Sequence, residues 1–179
     1  FTVPAAAVRP VPAAVPPARA VLAANMETAL NALWDSGIAP GDRVAVVGLG
    51  VVGLLIAYLA ARIPGTDLIG IDPNPARAAV AKRLGIPFSA ETPAGHDADR
   101  VIHASGTPDG AVTALSLAGM EATVLEASWH GTTPVPLPLG EAFHSRRLTL
   151  RSSQVGLVAP THRPRWHHAR RLDKALALL

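Results

Sequence analysis

The stretch Val44–Asp72, VAVVGLGVVGLLIAYLAARIPGTDLIGID, decides how the rest of this chain is read. A β-rich run, Val44 to Val47, meets three glycines at Gly48, Gly50 and Gly53. An apolar run of helical length follows to Ala61, then a second strand from Asp67 to Ile71 that ends on Asp72. Strand, glycines, helix, strand and acid, in that order, predict a βαβ unit that binds a dinucleotide. Gly48 allows the sharp turn, Gly50 lets the backbone approach a pyrophosphate, and Gly53 lets helix and strand pack closely. The pyrophosphate then meets unpaired N–H groups at a helix start, where the helix dipole favours negative charge. Asp72 lies 19 residues beyond Gly53, about where an acid reaches the adenosine ribose hydroxyls. A glycine turn alone also suits a purely structural bend, so the order of the five parts carries the reading. The 18 uncharged residues Val44 to Ala61 meet the minimum length of a membrane span. The three central glycines divide them, however, and Asp42, Arg43 and Arg62 crowd the ends.

At 179 residues, 49% hydrophobic and 16% charged, the chain is long and apolar enough to bury a core, which argues against extensive disorder. With no cysteine it holds no disulfide and no cysteine-ligated metal. The net charge of +3 comes largely from arginines near the C-terminus, without the interleaved aromatics of a nucleic-acid track. The first residue is Phe1, and the residues after it form neither a signal nor a transit segment, so a piece of a longer protein is expected.

Five prolines in Phe1 to Pro17 predict an extended connector without helix. A helix is expected from Arg19 to Trp34, with Asn25 or Thr28 as cap and Gly37 as stop, before a turn at Pro40-Gly41-Asp42. Pro73-Asn74-Pro75 opens a helix to Leu84, with Pro75 in its first turn and Gly85 after it. Ile86–Ser89 and Arg100–Ala104 read as strands around a polar loop at Glu91–Asp99. Pro108–Leu117 reads as a helix turned by Gly119, and Ala122–Ala127 as a strand. The alternation predicts an α/β, doubly wound parallel sheet. After a proline-rich loop, His130–Gly140, the stretch Arg147–Arg151 alternates as a half-exposed outer strand, with Leu148 and Leu150 on one face. Arg165–Leu179 reads as a terminal helix.

These residues resemble the medium-chain dehydrogenase/reductase family, the zinc-type alcohol dehydrogenase relatives, over nearly the whole chain. The likeness rests on Val3-Pro4 leading to Val11-Pro12, on Thr28-Ala29-Leu30 before Pro40-Gly41-Asp42, and on VAVVGLGVVG with Asp72. It continues through Ala81-Lys82-Arg83-Leu84-Gly85 and Arg100-Val101-Ile102 to Ser105-Gly106. It implies a Rossmann-fold cofactor domain at 25–152, a stub of a separate catalytic domain at 1–24, and a C-terminal segment with a basic helix at 153–179. It further implies a cytoplasmic oxidoreductase that moves hydride between NAD(H), rather than NADP(H), and a small alcohol or carbonyl compound. Carried over by position, Gly48, Gly50 and Gly53 match the pyrophosphate turn, with Leu49, Val51 and Val52 lining it. Asp72 matches the ribose acid, Arg77 a basic position flanking that ribose, and Ser105 and Gly106 the turn between the adenine and nicotinamide sides. Catalytic residues are expected outside this chain.

Two departures stand out. Zinc-holding members place a ligand just ahead of the Thr28 helix, where this chain has Ala23 and Ala24, with Glu27 about three residues too late. That argues against zinc held within this chain and leaves a zinc-independent reductase branch open. Trp129-His130-Gly131 replaces the glycine and small apolar residues more usual after the fifth strand, which implies an altered nicotinamide pocket.

His130 has two readings: a solvated loop residue, which is favoured, or a group that orients the nicotinamide carboxamide or relays a proton. His103 is expected to be packed or hydrogen-bonded in the sheet. His162, His167 and His168 with Arg163, Arg165, Arg170 and Arg171 are read as a solvated helix face, or one covered by the rest of the protein, and Trp34 and Trp166 as core or interface fillers. Arg77 is equally well a ribose contact or a surface charge. Two other functions compete: an S-adenosylmethionine-dependent methyltransferase and a non-catalytic nucleotide sensor. The first wants an acid before the glycines and a tighter G-x-G-x-G, whereas Val46-Val47 precede Gly48 here and Val52 stands at the third glycine. The expected partners are a small-molecule substrate and a second copy of the chain, paired through the sheet edge near Leu148–Val155, with neither nucleic acid nor membrane.

Overall fold

The computed structural model describes residues 2–5 and 8–179. Positions 1, 6 and 7 of the proline-rich connector lie outside them. Along the chain run α1 (Pro17–Ala20), α2 (Ala23–Ser36), β1 (Arg43–Val47), α3 (Val51–Ala60), β2 (Asp67–Ile71), α4 (Arg77–Arg83) and β3 (Phe88–Ser89). Then come β4 (Ala98–His103), α5 (Pro108–Leu117), β5 (Ala118–Glu126), α6 (Ala142–Ser145), β6 (Thr149–Ser152) and α7 (His168–Ala177). The six strands form one parallel sheet in the order β3-β2-β1-β4-β5-β6. That is the order of a doubly wound dinucleotide-binding sheet.

A parallel sheet covered on both faces needs strands that are apolar on both sides. Alternate residues therefore feed two cores. Val44, Val46, Ile102 and Leu125 point into the core shared with α2, α3 and α7, where Met26, Leu30, Ile56 and Ala175 meet them. Ala45, Val47, Val101 and Val124 point into the other core, against Ala114, Leu115 and Leu117 of α5. No helix among the described residues is long and apolar enough to cross a membrane; the run Val44–Ala61 is divided into β1 and α3.

The structure corrects several local expectations. Pro17 opens the short helix α1, because its missing N–H costs nothing at a first helical position. The helix expected from Arg19 is broken at Val21-Leu22, and neither Asn25 nor Thr28 caps α2; Thr28 Oγ1 instead donates to the Ala24 carbonyl inside the helix. Gly37 does end α2, in the left-handed region. The α4 helix begins at Arg77 rather than Pro75, because Asn74 Oδ1 accepts the Ala76 N–H and holds a turn there. Gly119 lies within β5 and turns nothing. The chain bends at Glu121, which has φ 58°, where the β4–β5 register slips from Ala98↔Ala118 to Arg100↔Thr123. Arg147 also takes a positive φ, 53°, so the alternation expected through it is lost. Leu148 is buried ahead of β6, whereas Leu150 within it is 40% exposed. The outer position of this strand is as expected.

The basic cluster after His162 divides: Arg163, Arg165, His167, His168 and Arg170 are exposed, as expected, whereas His162 is half-buried and Arg171 is buried. The His162 ring stacks on Trp34 at 4.2 Å, Trp166 packs against Trp34 at 4.8 Å, and the Arg170 guanidinium covers Trp166 at 4.0 Å. His167 caps α7 by accepting the Arg170 N–H. Arg171 is 2% exposed and donates to Glu27, to Asn31 Oδ1 at 2.6 Å and to the carbonyls of Val155 and Leu157. Asn31 also accepts the Ala159 N–H and donates to Asp35, which in turn accepts from Ser153. Helix α2, the chain after β6 and α7 are therefore tied by one polar knot. Removing the cation from a buried pair strands its partner, at a cost of about 3 kcal/mol. Arg171→Ala should lower the unfolding free energy by about that much in urea titrations, with trypsin cutting the segment after Ser153 first.

Candidate nucleotide-binding site

The site is built where β1 and β4 diverge, the point at which strand order reverses and a crevice opens beyond the strand ends. Leaving β1, Gly48 takes φ +93° and donates its N–H to the Ile71 carbonyl at 2.8 Å. A Cβ there would lie 2.5 Å from the Ser105 backbone. A Cβ on Gly53, one turn into α3, would fall on the Gly48 carbonyl oxygen. Both glycines are thus demanded by close packing. Gly50 differs: nothing lies within 4 Å of where its Cβ would be. It forms the extended N-cap of α3 and has no side chain to satisfy the first helical N–H groups. The helix start therefore presents unpaired donors over open space.

Asp72 is wired to this turn. Its Oδ2 accepts the Leu49 N–H at 2.8 Å and its Oδ1 the Asn74 N–H at 2.9 Å. Each carboxylate oxygen keeps a further lone-pair site. A cleft of about 540 Å³ is lined by Gly48, Gly50, Asp72, Arg77, Ser105 and Thr107, among others. A smaller pocket, about 230 Å³, is lined by Thr28, Val52, Ser105, Gly106, Ser128 and Trp129. Ser105 borders both.

The remaining positions separate. Leu49 is fully buried, its side chain packed toward Gly70, and only its backbone takes part, through Asp72. Val51 is half exposed and Val52 lines the smaller pocket. Arg77 lines the larger cleft together with Asp72. Gly106, at φ +71°, donates its N–H to Ser128 Oγ.

Sequence reasoning missed what lies behind Ser105. His103 and Glu126 are register partners at the ends of adjacent strands. The fully buried His103 donates from Nδ1 to Glu126 Oε2 at 2.7 Å, and its Nε2 lies 2.6 Å from Ser105 Oγ. Burial raises the Glu126 pKa, but hydrogen bonds from His103 and Ser128, with the charge on His103, outweigh it and hold the carboxyl below its ordinary value. The sequence signal was two apolar strands that each finish on an ionisable residue. His130 belongs here too, and is not the solvated loop residue expected. Its Nε2 is buried 3.5 Å from Glu126 Oε2, and its ring stacks on His103 with centroids 5.8 Å apart. The His103 expectation, packed and hydrogen-bonded in the sheet, agrees with the structure.

The two kinds of glycine should behave differently on substitution. Gly53→Ala should cost about 1–3 kcal/mol or more of stability, because neither backbone can withdraw. Gly50→Val, facing open space, should leave the thermal midpoint within a few degrees; differential scanning calorimetry of both variants checks this.

No protein-family model matches the chain. It is 28% identical over 155 residues to D-guloside 3-dehydrogenase of Escherichia coli (strain K12), covering 79% of this chain and 44% of that protein. Among solved structures, an alcohol dehydrogenase of Escherichia coli CFT073 complexed with NADH superimposes with a TM-score of 0.74 at 23% identity, covering 97% of this chain and 53% of the other. A Sinorhizobium meliloti 1021 protein assigned as a zinc-binding dehydrogenase, bound to NADP, gives 0.75 at 22%, covering 93% and 51%. The chain thus spans about half the length of the proteins it matches. In sequence the chain is similar to dehydrogenases, and in structure it shares the fold of about half of each of these solved dehydrogenase chains.

Proposed function

We propose that this chain is the nicotinamide-nucleotide-binding part of an oxidoreductase that moves hydride between NAD(H) and a small alcohol or carbonyl compound. The observation that carries this is the joining of Asp72 to the glycine turn through the Leu49 N–H, which sets a carboxylate and an open helix start in one cleft. The residues fit the cofactor. The space beside Gly50 and the N–H groups of α3 suit a pyrophosphate, the free lone pairs of Asp72 suit a ribose diol, and the pocket beyond Ser105 suits the nicotinamide end. When bound, the nicotinamide supplies or accepts the hydride. The chain's own part is to hold the adenosine ribose at Asp72, to keep the pyrophosphate on the helix start, and to present the rim of the smaller pocket. Glu27, the acid nearest the family's zinc-ligand position, is spent on Arg171, and Ala23 and Ala24 offer no donor atom. No zinc-dependent step is assigned to that position.

Asp72 should repel a 2′-phosphate, and like charges set together cost enough to weaken NADPH by about tenfold or more relative to NADH. Fluorescence titration of this chain with NADH, NADPH and S-adenosylmethionine tests the reading. NADH should bind more tightly than NADPH, S-adenosylmethionine should not bind, and Gly50→Val should lose NADH while staying folded. Equal affinity for NADH and NADPH would overturn the role of Asp72, and NADH binding that survives Gly50→Val would overturn the site.

The β6 edge supports a second proposal, that two copies join their sheets there. All four β6 residues are exposed and their outer side is unpaired among the described residues. Sedimentation should show a dimer that Leu150→Lys splits; a dimer indifferent to that change would place the contact elsewhere.

A further inference from the structure

The His103–Glu126–His130 cluster is not consumed by the nucleotide reading, and one of its atoms is unexplained. Among the described residues His130 Nε2 is buried without a hydrogen-bond partner, and such an atom is costly unless something meets it. Glu126 Oε2 lies 3.5 Å from it and 2.7 Å from His103 Nδ1, and one ligand atom from each of the three side chains lies within 4.8 Å of the others. The atoms behind them are already held. Glu126 Oε1 accepts the Ser128 N–H at 2.8 Å, and His103 Nε2 is paired with Ser105 Oγ at 2.6 Å. Outer contacts of this kind fix ligand orientation in metal sites.

We propose that His103, Glu126 and His130 form a binding site for a divalent transition ion of the zinc class, separate from the position ahead of Thr28. Two imidazoles and one carboxylate are the donor set such ions favour. On an ion with bonds of about 2.0–2.1 Å, tetrahedral ligand atoms stand roughly 3.3 Å apart. The Glu126–His130 separation of 3.5 Å already matches that spacing. The His103–Glu126 separation of 2.7 Å is a hydrogen bond, in which the ion would replace the Nδ1 proton and the carboxylate would swing off the N–H axis to admit it. Three protein ligands leave a fourth position to water.

The test uses the full chain, treated with chelator and free of nucleotide, so its outcome does not depend on the cofactor reading. Equilibrium dialysis against Co2+ and then Zn2+, with bound metal counted by mass spectrometry, should give one ion per chain. Bound Co2+ should show the strong visible absorption of a four-coordinate site. His130→Ala and Glu126→Gln should each weaken binding at least about tenfold, while His144→Ala, which removes an exposed histidine on α6, should change nothing. The fully buried His103 is left intact, and near-ultraviolet circular dichroism verifies that the variants fold. Absence of stoichiometric binding, or binding unchanged in both His130→Ala and Glu126→Gln, would overturn the proposal.

Discussion

Two missing side chains set the geometry at the mouth of the sheet. Gly53 presses on the carbonyl of Gly48, and Gly48 presses on the backbone of Ser105, so three chain segments meet where any Cβ would force them apart. This approach aims the first turn of α3 across the gap between β1 and β4. Asp72 then closes the arrangement from the neighbouring strand through the Leu49 N–H. Cleft, helix start and carboxylate are consequences of one tight contact. The remaining core serves to hold it, with apolar strands sealed on both faces.

A different physics governs the C-terminal third. The chain after β6 is held less by apolar burial than by a chain of charged and amide groups running from Glu27 and Asn31 through Asp35 and Arg171. A buried arginine that satisfies two backbone carbonyls and two side chains is specific in a way that leucine packing is not, because a shifted register would leave it unpaired. The aromatic stack of Trp34, His162 and Trp166 seals the outer side.

Legibility in the sequence falls with distance along the chain. The unit Val44–Asp72 is legible because each part is local: a strand, a turn, a helix and an acid in fixed order. The doubly wound parallel arrangement is legible because parallel strands joined by helices admit few arrangements. The polar knot at Arg171 is hidden, since an arginine-rich helix reads as solvated until its partner 144 residues away is known. His103 and Glu126, 23 residues apart, meet only through the β4–β5 register, and that register contains a slip no periodicity reveals. His130 looks like an ordinary loop residue for the same reason. Within the glycine turn, the pattern names the right residues but cannot separate Leu49, whose side chain belongs to the core, from Gly50, which faces open space.

The three tryptophans divide the molecule into optically distinct regions. Trp34 and Trp166 lie against each other and against a histidine in the C-terminal knot, whereas Trp129 is 91% exposed at the rim of the smaller pocket. One indole is hydrated and stands beside the pocket, and two are partly shielded in the C-terminal knot. Emission from Trp129 therefore reports on traffic at the pocket, and emission from the pair reports on whether the tail is docked. The wild-type chain carries both probes without any label.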